Sequence, residues 1–225
     1  MKTILKILRI YIIFIALIIL LPSLCESQIK TYGKIYPFDD SKSDKSFSEF
    51  VSNLKLAIQN KDKDFIYNIL DDSITVSFGD PFGILGFKEI WNLENPETDF
   101  WKVFSKIVNL GFVTCKECEN TAFIFPYYWD HPLLKGFECD VFIIVKPQIN
   151  VYESKNNKSN VLGQLSYDII MPTYAGDSWY EIEIGENKKG YIKNNNDDYC
   201  DICGLRGGFE YKKGKWKLTW FVEGD

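Results

Sequence analysis

The C-terminal sequence GGFEYKKGKWKLTWFVEGD, residues 207–225, constrains the fold more than any other stretch of the chain. Large apolar residues alternate with polar ones on both sides of a Lys213-Gly214 turn: Phe209, Tyr211, Trp216, Leu218 and Trp220. A period of two on either side of a short turn predicts a β-hairpin. Because an isolated hairpin is marginally stable in water, this aromatic face has to pack on another part of the chain.

The earlier region, residues 46–112, is predicted to be mainly helical and has too few strands of its own to form the sheet on which these helices could pack. Its first helix, SFSEFVSNLKLAIQ, has Ser46 as a candidate N-cap and Glu49 to complete a capping box. One face of that helix is apolar, at Phe47, Phe50, Val51, Leu54 and Ile58. Only SITVSFG and the later TAFIF are convincing strands. We therefore predict an α+β domain of residues 46–139 plus 204–225, whose small sheet is completed by the C-terminal hairpin. Packing of the hairpin on the intervening segment is the alternative.

That intervening segment, residues 140–199, is almost entirely β in character. The stretches VFIIV, INVYE, SYDIIMPTY, SWYEIEI and GYIK are separated by turn residues. Short strands at close, regular spacing predict a small β-barrel, inserted between the two parts of the first domain.

Part of this segment resembles the bacterial SH3 (SH3b) domain over about residues 141–193. The matching letters are Asn150-Val151, Val161-Leu162-Gly163, Trp179 with Ile182, and Gly190-Tyr191-Ile192. The stretches SFGD, FKEIW and GKWKLTWFVEGD also resemble exported bacterial proteins that carry such a domain. The resemblance implies a small barrel of the bacterial envelope that binds cell-wall peptides or other proteins. The family commonly has an arginine followed by a proline where this chain has Tyr152 and Glu153-Ser154-Lys155.

Five aromatic residues of the segment are candidates for a ligand groove: Tyr152, Tyr174, Trp179, Tyr180 and Tyr191. Aromatic rings with a polar tip suit a partly hydrated groove. The alternative is that Trp179 and Tyr191 fill the interior, as small barrels require. Tyr152 and Tyr174 are favoured for the groove because each lies next to loop residues.

The N-terminus predicts export. Lys2, Lys6 and Arg9 precede the apolar run 10–21, as in a secretory signal peptide of residues 1–27. A retained membrane anchor is the alternative, and a lipid anchor on Cys25 is disfavoured by Leu24. Residues 28–45 carry no periodicity and are expected to be a linker. The mature protein is thus expected to be secreted or periplasmic, with no integral membrane span.

Charge argues against two classes of partner. The formal net charge is −5, and removal of three basic residues and one acid with residues 1–27 makes it −7. No basic stripe remains, so nucleic acid and anionic membrane surfaces are not expected to bind.

Catalytic residues are not expected. The chain has no Gly-x-Ser-x-Gly motif and a single histidine, His131, and residues 46–112 contain neither Cys nor His. The sequence therefore favours a non-catalytic envelope protein without a cofactor, which recognises a wall-derived peptide or a partner protein. A cell-wall hydrolase whose barrel targets substrate is the alternative. The oligomeric state is open.

Two Cys-x-x-Cys pairs flank the predicted insertion. Cys115, Cys118, Cys200 and Cys203 are the disulfide candidates, with Cys139 as a fifth cysteine. An oxidising compartment favours disulfides, but the same four thiols could instead hold a structural zinc ion in an interaction protein, or stay reduced. Neither pair opens a helix as a thioredoxin-type centre does. Pairing within each motif and between the motifs both remain open.

Overall fold

The computed structural model describes residues 29–79, 81–116, 118, 122–176, 178–185, 188–195 and 197–224. The predicted signal peptide and Cys25 lie outside this part of the chain. Within it the protein is mixed α+β, as the sequence predicted, with four α-helices and three sheets.

The four helices precede most of the strands. They are α1 Lys45–Asn60, α2 Lys63–Ile69, α3 Gly83–Trp91 and α4 Phe100–Asn109. Asp44 is the N-cap of helix α1, and its carboxylate accepts a hydrogen bond from the backbone N–H of Phe47. The predicted N-cap, Ser46, instead donates its hydroxyl proton to that carboxylate. Asp44 is the stronger cap because a carboxylate also complements the positive end of the helix.

Thirteen strands form the three sheets. They are β1 Leu70–Thr75, β2 Val113–Thr114, β3 Ala122–Phe125, β4 Phe142–Ile144, β5 Ile149–Tyr152, β6 Val161–Leu165, β7 Ile169–Ile170, β8 Tyr174–Ala175, β9 Trp179–Ile184, β10 Lys188–Lys193, β11 Tyr199–Asp201, β12 Arg206–Lys212 and β13 Lys215–Val222. The sheet orders are β1-β13-β12-β3-β2, β6-β5-β10-β9-β8 and β11-β4-β7. We call the first sheet with the helices the first module, and the other two sheets the second module.

The C-terminal hairpin lies in the middle of the first sheet. Strand β13 pairs in parallel with β1, and β12 pairs antiparallel with β3. The helices and this sheet share one core, in which the Phe47 ring stacks on Phe123 at 3.8 Å and meets Trp216 edge-on at 4.6 Å. Full burial of each such ring contributes about 1.5–3 kcal/mol. The hairpin therefore supplies the aromatic surface that the helices need.

The second module buries one side of its larger sheet. Val151, Ile182 and Ile192 are fully buried there. Gly190 allows the strands to approach, since a Cβ at this position would lie 2.3 Å from the Ile184 side chain and 2.6 Å from Val151. Among the described residues the strand pairings form two separate sheets and do not close into a barrel.

The described part of the predicted linker, residues 29–45, is folded, so that prediction is wrong. Ile29 bridges to Ile184, and Lys34 bridges to Asp168. Backbone hydrogen bonds join Tyr32 and Ile169, and Ile35 is almost completely buried. We call residues 29–35 the N-terminal strap. It lies on the second module because its apolar side chains complete the cores there.

Candidate functional site

Three aromatic candidates lie in one row across the larger sheet of the second module. Tyr152 of β5 faces Tyr191 of β10, Tyr191 faces Glu181 of β9, and Glu181 faces Tyr174 of β8. Directly opposed residues of antiparallel strands point to the same side of a sheet. With strands about 4.8 Å apart, the row spans roughly 14 Å.

This row lies on the outer face of the sheet. Along β9 the buried residues are Tyr180, Ile182 and Ile184, and the residues between them are partly exposed. Trp179 is two residues from Glu181 and therefore shares its face. Its ring meets that of Tyr152 edge-on at 5.8 Å. The structure thus brings four of the five groove candidates together on one face. The prediction is wrong for Tyr180, which points to the opposite side of β9 and fills the interior together with Tyr199 and aliphatic side chains.

A lysine covers one end of the row. The Lys155 ammonium lies 5.1 Å from the centre of the Tyr174 ring and 5.6 Å from that of Tyr191. Lys155 belongs to the exposed loop between β5 and β6. Together the four aromatic residues, Glu181 and Lys155 form what we call the aromatic face.

Glu181 contributes an ion-paired carboxylate to the aromatic face. The Lys189 ammonium contacts its Oε1 at 2.5 Å, and the Thr173 hydroxyl donates a hydrogen bond to the same atom. The hydrogen bond from Lys189 is the main reason why the pKa of Glu181 lies below its usual value. The positive charge of Lys155 lowers this pKa further. The carboxylate is therefore ionised at neutral pH.

A shallow concavity adjoins the row at Tyr152. It measures about 280 Å³ and is lined by Gln148, Asn150, Tyr152, Lys193 and Asp198, together with Ile149. The side chains beside the rings therefore include a positive charge at Lys193, a negative charge at Asp198 and the amides of Gln148 and Asn150. Such a mixture suits a peptide, which presents amides as well as apolar surface.

Glu181 and Lys155 were not among the residues that sequence reasoning selected. The place of Glu181 follows from strand register, since it lies opposite both Tyr191 and Tyr174. The alternation of SWYEIEI could have placed Glu181 on the face of Trp179, but no local pattern pointed Lys155 at the rings.

The cysteines pair differently from the predicted set. Cys115 joins Cys118, and Cys203 joins Cys139. Cys200, predicted as a disulfide candidate, is a free buried thiol. The four thiols proposed for zinc therefore do not act together, and the described residues hold no cluster of three metal-ligating side chains.

Cys200 lies beside a cavity of about 420 Å³ between the two modules. Lys106 and Tyr128 also line this cavity and contact the thiol with their polar groups. Burial raises the pKa of the Cys200 thiol, and burial also raises the pKa of Tyr128. Burial therefore favours the protonated form of this thiol, which is a weaker nucleophile than the thiolate.

His131 has a structural role in the fold. Its Nδ1 accepts a hydrogen bond from the backbone N–H of Leu133 and caps the short 3₁₀-helix Pro132–Leu134. The ring nitrogen that faces the backbone is thereby occupied.

Comparisons with protein-family models, curated proteins and solved structures found no match to this chain. None of the helices among the described residues has the length and apolar character needed to cross a bilayer.

Proposed function

We propose that the protein is a non-catalytic binding protein of the bacterial envelope, exported by its N-terminal signal peptide, whose SH3b-like module recognises an extended peptide on the aromatic face. The wall-derived peptide is the favoured ligand, and a segment of a partner protein is the second. The observation that carries the proposal is the row Tyr152, Tyr191, Glu181 and Tyr174 on one exposed face.

The dimensions of the row support a peptide ligand. An extended chain advances about 3.3 Å per residue, so roughly 14 Å accommodates about four residues. Tyrosine and tryptophan bury large areas at little cost in side-chain entropy, which is why they dominate binding surfaces. Glu181 and the concavity beside Tyr152 add polar contacts that can fix the orientation of the bound chain.

Two disulfides support an exported location, because such bonds persist in oxidising compartments. The protonated Cys200 and the capping role of His131 support a protein without catalysis of its own.

Retention on purified cell-wall material tests the proposal. Tyr152→Ala and Trp179→Ala should each reduce retention, because both remove part of the aromatic face. Tyr36→Ala is the matched control, since Tyr36 is a strongly exposed tyrosine outside that face. If all three variants are retained like the unmodified protein, the wall peptide is not the ligand of this face. Capture of a protein partner that is lost in the same two variants would identify the second ligand class.

A further inference from the structure

Lys155 occupies a place where a bound cation would lie. Its ammonium contacts two aromatic rings, those of Tyr174 and Tyr191. Glu181 stands between these two tyrosines in the row, since it is the strand neighbour of both. Ring faces attract an ammonium ion, and the Glu181 carboxylate adds a longer-range attraction although it is ion-paired with Lys189 and does not contact Lys155 directly.

The contact of Lys155 is easily exchanged. Among the described residues, no carboxylate lies within 4 Å of its ammonium. The side chain is exposed and has a flexible four-carbon stem. Its loop is held by other groups, including the backbone hydrogen bonds from Glu153 to Asn160 and from Ser159 to Asn156. The lysine can therefore leave the rings while the loop keeps its shape.

We propose that Tyr174, Tyr191 and Glu181 form an ammonium-binding subsite, which Lys155 fills in the free protein and yields to a primary ammonium group of the peptide ligand. The inference rests on the proposed function and adds the ligand class: a peptide with a free amine, at a side chain or at its N-terminus. Lys155 then competes with the amine of the ligand for the subsite and so lowers the affinity of the protein for that amine.

The experiment compares two small probes. N-acetyl-lysine methylamide carries a primary ammonium, and the same compound acetylated on its side-chain nitrogen is neutral. Binding is followed by NMR through the ring signals of Tyr174 and Tyr191. We expect the charged probe to shift these signals in a saturable way and the neutral probe to leave them unchanged. Glu181→Gln should weaken the binding of the charged probe.

The lysine variants test the competition. Lys155→Ala should tighten binding of the charged probe by about two- to fivefold, the factor expected from loss of one exposed cation–π contact. Lys158→Ala is the matched control, because it removes the same charge from the same loop, and it should leave the affinity unchanged. Both positions are exposed, and equal melting temperatures would show that the fold is intact.

Three results would overturn the inference: no binding of the charged probe at its solubility limit, equal binding of the neutral probe, or equal affinities in the Lys155 and Lys158 variants. These outcomes are separable from failure of the proposed function. If Tyr152→Ala and Trp179→Ala reduce retention on wall material while the lysine variants do not differ, the aromatic face binds the wall without an ammonium subsite.

Discussion

Cys139 and Cys203 form a disulfide across 64 positions of sequence, and it ties the point where the chain enters the second module to the point where it returns. Cys115 and Cys118 form the other disulfide, with a separation of only 3. The two bonds therefore restrict the unfolded chain to very different extents.

The long-range disulfide should stabilise the protein more than the local one. On the loop-entropy account, closing a loop of this length contributes about 4 kcal/mol, against about 2 kcal/mol for the short loop. We expect the double variant Cys139→Ser with Cys203→Ser to lose more free energy of unfolding than Cys115→Ser with Cys118→Ser. Denaturant titrations under non-reducing conditions measure both. Equal losses would contradict the loop-length argument.

Alkaline pH should destabilise the protein through Cys200. Burial raises the pKa of its thiol in the folded state, so the unfolded chain releases the proton first as pH rises. The buried neutral thiol makes its full contribution to the free energy of unfolding below the unfolded pKa of about 8.5, and this contribution is lost as the pH rises above that value. Melting temperatures should fall above that pH, and less steeply in Cys200→Ala than in the unmodified protein. Identical slopes would exclude the thiol as a cause.

The N-terminal strap carries two ion pairs that should differ in strength. Lys34 contacts Asp168 at 2.8 Å, and the Asp168 carboxylate is 6% exposed and also accepts the Ser166 N–H. Loss of such partners from a buried group costs about 1–3 kcal/mol, so we expect Asp168→Ala to lose that amount.

The second pair of the strap is the control. Lys30 and Glu183 are 51% and 40% exposed, so Glu183→Ala should lose less than about 1 kcal/mol. Chemical denaturation of both variants provides the comparison. A larger loss at Glu183 would mean that burial does not decide the strength of these contacts.

The central position of the hairpin makes it sensitive to substitution. Leu218 is completely buried in β13, and Leu218→Ala should lower the free energy of unfolding by about 2–5 kcal/mol. Tyr211 lies in the same hairpin but is 45% exposed, and Tyr211→Ala should cost less than about 1 kcal/mol. Similar losses at both sites would argue against the hairpin as part of the core.

The sequence predicted the mixed α+β class and the packing of the hairpin on the helices, because the hairpin has more aromatic surface than an isolated hairpin could leave in water. The prediction is wrong at the end of β13, where alternation placed Trp220 on the core face with Trp216 and Leu218. Phe221 is the buried residue there, and Trp220 is only partly buried. The register shifts between Gly208 and Phe209, and such a bulge changes which residues face the core.

Other features depend on distant contacts that no local pattern contains. The strap lacks internal periodicity because its partners are single positions such as Asp168 and Ile184. The pairing of Cys203 with Cys139 rather than with Cys200 depends on how the chain enters and leaves the second module. The aromatic residues could be chosen from composition, but their common face required strand register.

The position of the hairpin bears on the order in which the protein can assemble. Strands β12 and β13 are made after every other strand, yet they separate β1 from β3 in the first sheet. The strap is made early but finds its partners only after β9 exists. The first sheet can therefore be completed only after β13 has been synthesised, and the second module only after β11.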